Sequence, residues 1–434
     1  LQLQSQKGSP FMPSAVSPPK LLKPQKSFRR KLPFLAVFGP GLVVMLADTD
    51  VGSIITAGQS GVQWGYKLLL VQVILVPVLY IVQELTVRLG VFTGRGHGEL
   101  IRDSFGPFWG WVSAAGLAIA TAGALLTEFS GVAGIGDLYG IPHIISLPLA
   151  AAALLAIVFT GSYRRVERAA IIIGLFELAF FGVAWAARPD LALMAHQAIQ
   201  MPVNNSQYDF LIAANIGAVI MPWMVFYQQS AIADKKLKPE HFRAARWDTA
   251  IGAVITQAVM AAVLIAAAAS IAPNAPQATL NTVGQMSQAL TPYLGVQFGR
   301  AVFSLGVLGA GLVAAIVSSL ALAWGLGEVA GYKRSLEYHP SKAKWFYAVY
   351  AACVIGGAAI VGIAPNLISL NLGVQVMNAF LLPVVLFFLV RLAIISLPAA
   401  NKLQGWYKWV VILVCAVTCV FGVYGGIASF LPPL

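Results

Sequence analysis

Charged residues are scarce: Asp, Glu, Lys and Arg make up 10% of the 434 residues, against 59% hydrophobic ones. A soluble globular chain carries roughly a quarter charged residues, so the composition excludes an ordinary water-soluble domain. Cysteine is scarce too, with three in all, which excludes a disulfide framework. Cys353, Cys415 and Cys419 lie in apolar runs, where packing is their expected role, and the last two share a helix face. No glycine loop followed by Lys-Ser/Thr is present, so nucleotide-driven pumping has no support. No nucleophile–base constellation argues for an enzyme, and no cofactor is implied. Residues through about Lys31 are rich in Pro, Ser, Gln and Lys and lack the apolar core of a secretory signal. A disordered basic cytoplasmic tail over residues 1–32 is expected instead.

What the chain has is apolar runs of about 20 residues, each long enough to cross a ~30 Å hydrocarbon core as a helix. They do not alternate as barrel strands would; Ala150–Phe159 is an example. The runs predict an all-α polytopic membrane protein with about eleven spans, over 34–60, 67–88, 109–135, 143–161, 167–187, 208–231, 249–272, 298–326, 344–364, 368–391 and 408–430. The net charge of +12 then reflects topology rather than a nucleic-acid partner. Basic residues gather in alternate loops: Arg95 and Arg102, then Arg164, Arg165 and Arg168, then Lys235, Lys236, Lys238, Arg243 and Arg246, then Lys333, Arg334, Lys342 and Lys344, then Lys402 and Lys408. The positive-inside rule places these loops and the N-terminus in the cytoplasm and the C-terminus outside.

Two spans look broken. The first contains Ala47-Asp48-Thr49-Asp50-Val51-Gly52-Ser53, and the sixth Gly217-Ala218-Val219-Ile220-Met221-Pro222-Trp223, where Pro222 removes a backbone donor. Five spans apart, the breaks enter the membrane from opposite sides. Interrupted helices at matching positions of two halves point to an inverted-repeat transporter with a midplane site. Charge within the spans is one-signed: Asp48, Asp50, Glu128 and Glu177 lie in apolar runs, with Glu84 and Glu328 near span ends. Buried acids without basic partners call for protons or a cation, so the transported or coupling ion is expected to be positive. All five histidines (His97, His143, His196, His241 and His339) map to loops or span ends, where solvated imidazoles are expected.

At the first break, Gly39-Pro40, Asp50-Val51-Gly52-Ser53, Thr56, Gly61 and Gly65-Tyr66-Lys67-Leu68-Leu69 resemble the first span of the NRAMP metal-ion transporters, whose hallmark is Asp-Pro-Gly-Asn. Thr93-Gly94 with Ile101-Arg102-Asp103, Glu128-Phe129, Tyr163-Arg164-Arg165-Val166-Glu167 and Asp248-Thr249 follow in order, and Met221-Pro222 matches the sixth-span Met-Pro-His motif. The resemblance implies a LeuT-type inverted repeat: five spans over 33–190, five over 207–392, and an extra eleventh span over 406–434. It also implies that Asp50 is the metal-binding carboxylate, with Ser53 at the motif asparagine, Ala218 offering its backbone carbonyl and Met221 its thioether. A thioether adds preference for softer ions over magnesium or calcium.

The departures are as informative. Ser53 is a shorter ligand than asparagine, which implies a roomier site. Val51 replaces the motif proline, and Trp223 and Gln228 replace sixth-span histidines. Of the family's third-span acids only Glu128 remains, with Ala118 and Leu125 at the other positions, and the ninth span has no arginine pair. Asp48 is an additional acid. The resemblance therefore implies a divalent-metal carrier of manganese or iron type whose proton coupling is weak or absent, with Asp48, Trp223, Gln228 and Glu128 as further pocket or coupling residues. An uncoupled magnesium/manganese carrier and a sodium-coupled symporter of a small organic solute on the same fold are the rival readings. The expected partners are the metal substrate and the lipid bilayer.

Overall fold

The computed structural model describes residues 39–202, 205–273, 280, 282–287, 295–363 and 371–428. The expected tail over 1–32 lies outside them, as do the residues after 428. Among the described residues, nine helices are long and apolar enough to cross a membrane, and a bent pair at the start of the chain makes a tenth. A shorter apolar helix of 16 residues, His143–Val158, spans ~24 Å and completes the eleven expected segments.

The first segment is the bent pair, α1 (Pro40–Asp48) and α2 (Val51–Trp64), whose axes differ by 48°. Local chemistry fixes both ends of α1. Pro40 occupies its first turn, where a missing N–H costs nothing. Gly39 precedes it at φ 146°, and a Cβ there would run into the Glu167 carboxylate. The helix stops at Thr49, and Asp50, in extended conformation, caps α2 by accepting from the Ser53 N–H at 2.6 Å.

The chain continues through α3 (Leu69–Thr93), the short α4 (His97–Phe105), α5 (Pro107–Leu138), α6 (His143–Val158), α7 (Tyr163–Gly174), a 3₁₀ turn (Leu175–Leu178), α8 (Ala179–Ala186) and α9 (Leu191–Ala198). α10 (Ser206–Val219) and α11 (Pro222–Asp234) form the sixth span; α12 (Phe242–Ser270), α13 (Val296–Ala330), α14 (Lys344–Ile363), α15 (Asn371–Ile395) and α16 (Gly405–Ala428) follow. The second break differs from the first in kind. α10 and α11 are interrupted at Ile220 and Met221, yet the whole of Ser206–Asp234 runs as one span. Pro222 sits at the first position of α11, so it interrupts the hydrogen-bond ladder within a single span.

α12 lies along both halves of the bent span, α10 lies on α2, α15 and α16, and α13 packs most extensively on α5. Large apolar side chains such as Ile144, Trp185, Phe298 and Ile363 face outward, the arrangement a lipid solvent demands. The loops that the sequence assigns to one side meet at one end of the bundle. Lys235 pairs with Glu167 at 2.7 Å, Arg334 pairs with Glu99, and the Leu336 N–H donates to Asp234 at 3.0 Å. Arg88 donates to the Asn401 carbonyl at 3.2 Å. At the same end Asp248 of α12 accepts from the N–H groups of Gly39, Gly41 and Leu42 (3.1, 2.8 and 3.2 Å), a carboxylate set against the positive end of α1. At the opposite end the Tyr208 hydroxyl donates to the Lys67 carbonyl at 3.0 Å, and Arg300 donates to that of Leu138 at 3.2 Å.

Candidate cation site at the two helix breaks

The two breaks meet. The Ser53 hydroxyl, on the first turn of α2, donates to the Ala218 carbonyl, on the last turn of α10, at 3.0 Å. This bond links residues 165 apart in sequence and joins two of the expected ligands directly. Beside it, Asp50 is fully buried. Its Oδ1 is used by the Ser53 N–H, while Oδ2 accepts no hydrogen bond among the described residues. Met221, also fully buried, caps α11 from the other break.

Glu128 of α5 completes the wall. Its Oε2 accepts from the Val51 N–H at 3.2 Å and its Oε1 from the Thr127 hydroxyl at 3.0 Å, and it faces the Asp50 carboxyl group. The departure at Val51 acquires a reason here: a proline at this position would have no N–H to offer Glu128. The Val51 side chain is seated between Gly131 and Gly311, where a Cβ on either glycine would strike it.

Sequence reasoning missed Gln375 and Asn378 of α15. Both are fully buried, and the Asn378 amide donates to Gln375 Oε1 at 3.1 Å. The Gln375 side chain faces Asp50. A Cβ on Gly52 would collide with the Gln375 amide, and one on Gly217 with its backbone carbonyl. Glycine at both breaks is therefore what admits α15 to the junction. Two polar residues one turn apart inside an apolar span were the signal available in the sequence.

The other acids fall into two groups. Asp48 and Glu177 are fully buried, Glu177 facing Thr49 and Asp48, and neither oxygen of Asp48 accepts a hydrogen bond among the described residues. Glu84 and Glu328 are structural. Glu84 pairs with Arg88 at 2.6 Å and with Arg246 at 3.4 Å. Glu328 accepts from the Ser230 hydroxyl at 2.6 Å and from the Gly98 N–H at 2.8 Å.

Trp223 is buried next to Pro222. Gln228 lies two turns, about 10 Å, beyond Met221. Its amide donates to the Thr249 hydroxyl at 2.7 Å and accepts from that of Thr86, tying α3 to α12 away from the breaks.

One histidine corrects the expectation of solvated imidazoles. His97, at the start of α4, is fully buried and bonds Gln229 Oε1 through Nδ1 at 3.0 Å. The Gln229 amide donates to the Arg95 carbonyl, so its oxygen is left to accept, and Nδ1 carries the proton. Burial pushes the His97 pKa down to about 4 against the opposing pull of Gln229, which keeps the ring neutral. A position in a loop does not imply exposure, because α4 folds back under α13.

Among the described residues no three His, Cys, Asp or Glu side chains converge on a metal-binding cluster. The junction instead offers carboxylates and neutral oxygens, with the buried Met221 at the second break. Such a mixed set can hold a cation and release it.

A family model for natural resistance-associated macrophage protein-like (Nramp) proteins matches residues 41–428, both breaks included. The chain belongs to the Nramp family. It is 30% identical over 303 residues to the divalent metal cation transporter MntH of Klebsiella pneumoniae, covering 66% of this chain and 70% of that protein. The manganese transporter of Eremococcus coleocola superposes with a TM-score of 0.75 at 19% identity, over 92% of this chain and 88% of that one. A Na+-coupled sialic acid symporter superposes with a TM-score of 0.58 at 13% identity, over 93% of this chain and 91% of that one. The fold is thus the LeuT type shared by these carriers, and this Nramp protein is a multi-pass membrane transporter rather than an enzyme.

Proposed function

We propose that this Nramp protein carries a divalent transition-metal cation, of the manganese type, by alternating access through the junction of the two breaks. The observation that carries the reading is the Ser53–Ala218 hydrogen bond beside the free oxygen of a buried Asp50. A cation there meets a carboxylate, a backbone carbonyl freed by helix termination and the first turn of α2. In this reading Asp50 supplies charge, Ser53 and Ala218 supply neutral oxygens, and Met221 supplies a sulfur that favours manganese-type ions over magnesium and calcium. Glu128 and Gln375 line the cation's surroundings, and Trp223 closes the α11 side. The relatives' names point the same way, since the similar proteins are a divalent metal cation transporter and a manganese transporter.

The segments through Ala186 and those from Ser206 to Ile395 act as the two five-span repeats, with α16 as an addition. The end that gathers the basic loops faces the cytoplasm, which sets the C-terminus outside.

The test is uptake into proteoliposomes of manganese, iron, magnesium and calcium, with and without a pH gradient. Manganese and iron uptake exceeding that of magnesium and calcium is the expected result. Magnesium uptake equal to that of manganese would make the protein a carrier of harder cations, and no uptake of any metal would remove the metal reading altogether.

A further inference from the structure

The bundle carries a second, unrelated feature, a groove of about 500 Å³ between α15 and α16. One stripe of each helix forms its walls. Pro383, Phe387 and Val390 face it from α15, and Ile412, Cys415 and Cys419 from α16. Residues 383 to 394 of α15 and 408 to 419 of α16 each cover about 17 Å along a helix axis, so the groove is long, narrow and apolar. The two cysteines, expected only to pack, are part of its lining.

The loop end of this groove is chemically different. Arg391 and Lys408 stand at its mouth, and a shallower depression that shares Ile394, Lys408 and Trp409 continues it to Lys402 and Trp406. The Lys408 ammonium lies over the Trp409 ring, 5.2 Å from its centroid. None of the three cations enters an ion pair among the described residues. Glu84, which lies near Tyr407 at the start of α16, is already held by Arg88 and Arg246.

We infer that this groove is a binding site for one anionic phospholipid, its phosphodiester headgroup held by Arg391, Lys402 and Lys408 and an acyl chain laid along the α15–α16 stripe. Charge complementarity selects the occupant. Three cations without acids at the polar end of an apolar channel in a membrane protein match a molecule that is anionic at one end and hydrocarbon for the rest. Basic pockets at the edge of transmembrane helices recognise such headgroups, and exposed tryptophans settle at that depth. Trp406 and Trp409 are both exposed there. The site is independent of the cation pathway and of the orientation proposed above.

The experiment is native mass spectrometry of the full chain, released from nanodiscs of phosphatidylcholine doped with phosphatidylglycerol. The expected result is one phosphatidylglycerol retained in preference to phosphatidylcholine. Each basic residue near the surface contributes on the order of a fivefold change in affinity, so Arg391→Gln with Lys408→Gln should weaken retention roughly 25-fold. Lys333→Gln, a charge removed elsewhere on the same end, should leave it unchanged. Ala416→Trp fills the groove without touching a charge and should also abolish retention, and added inorganic phosphate should not displace the lipid. Equal retention of both lipids, a double variant that keeps phosphatidylglycerol as well as the parent, or displacement by phosphate would each overturn the site. Retention by the Ala416→Trp variant would overturn the acyl-chain half of the proposal, since the headgroup would then be bound without the groove. Manganese uptake is not the readout, so failure here leaves the transport reading standing.

Discussion

Replacing Asp50 with asparagine removes a charge and leaves the shape of the first break intact. In the structure Oδ1 caps α2 through the Ser53 N–H at 2.6 Å, while Oδ2 accepts no hydrogen bond among the described residues. Asparagine is as good a helix N-cap as aspartate, whereas alanine costs about 1 kcal/mol and leaves the buried Ser53 N–H unpaired, roughly another 1–3 kcal/mol. The cation sees a different ledger. Removing one partner of a buried charge pair costs about 2–5 kcal/mol, or on the order of 30-fold to several thousandfold in affinity. Asp50→Asn should therefore melt close to the parent and bind almost no manganese, while Asp50→Ala should lose both stability and transport. Melting of the purified proteins and dye-quench uptake in proteoliposomes separate the two roles. An Asp50→Asn protein that transports at the parental rate would refute Asp50 as the cation's charge partner. One that melts as low as Asp50→Ala would refute the capping role.

If the Met221 sulfur contacts the ion, Met221→Ala should weaken manganese and cadmium binding far more than magnesium binding, measured by calorimetry; equal losses for all three would leave Met221 a packing role. Gly217→Ala places a methyl against the Gln375 carbonyl and the Ala379 N–H, and overpacking of this kind costs about 1–3 kcal/mol. Its melting point should fall and its uptake with it, and parental values for both would show that α15 has room to withdraw. Transport should draw few protons, because His97 is outside the spans and bound to Gln229, so the junction has acids but no imidazole to relay them. An internal pH dye, read while manganese enters at clamped voltage, should stay flat; a strong metal-dependent acidification would defeat the idea and make Asp48→Asn, Glu177→Gln and Glu128→Gln the variants to examine.

The spans, the breaks and the charged centre were legible in the chain itself, because each rests on local chemistry. Twenty apolar residues must be helical in lipid, Pro222 interrupts a hydrogen-bond ladder wherever it stands in a helix, and Asp50 cannot enter hydrocarbon without a partner. Each of the eleven expected spans has a helix at its place, and the two breaks meet at the Ser53–Ala218 bond.

What only the tertiary structure decided is which faces of those helices meet. In a soluble protein a polar stripe marks the outer face of a helix, but lipid is as apolar as leucine, so a span that is apolar all round does not say which side is inside. Gln375, more than 300 residues from Asp50, could not be assigned to the junction until α15 was seen to approach Gly52 and Gly217. The same indeterminacy hid the Val51–Glu128 bond, the burial of His97 and the diversion of Gln228 to Thr86 and Thr249. Sequence determined what each helix carries, and packing determined what each carried group touches.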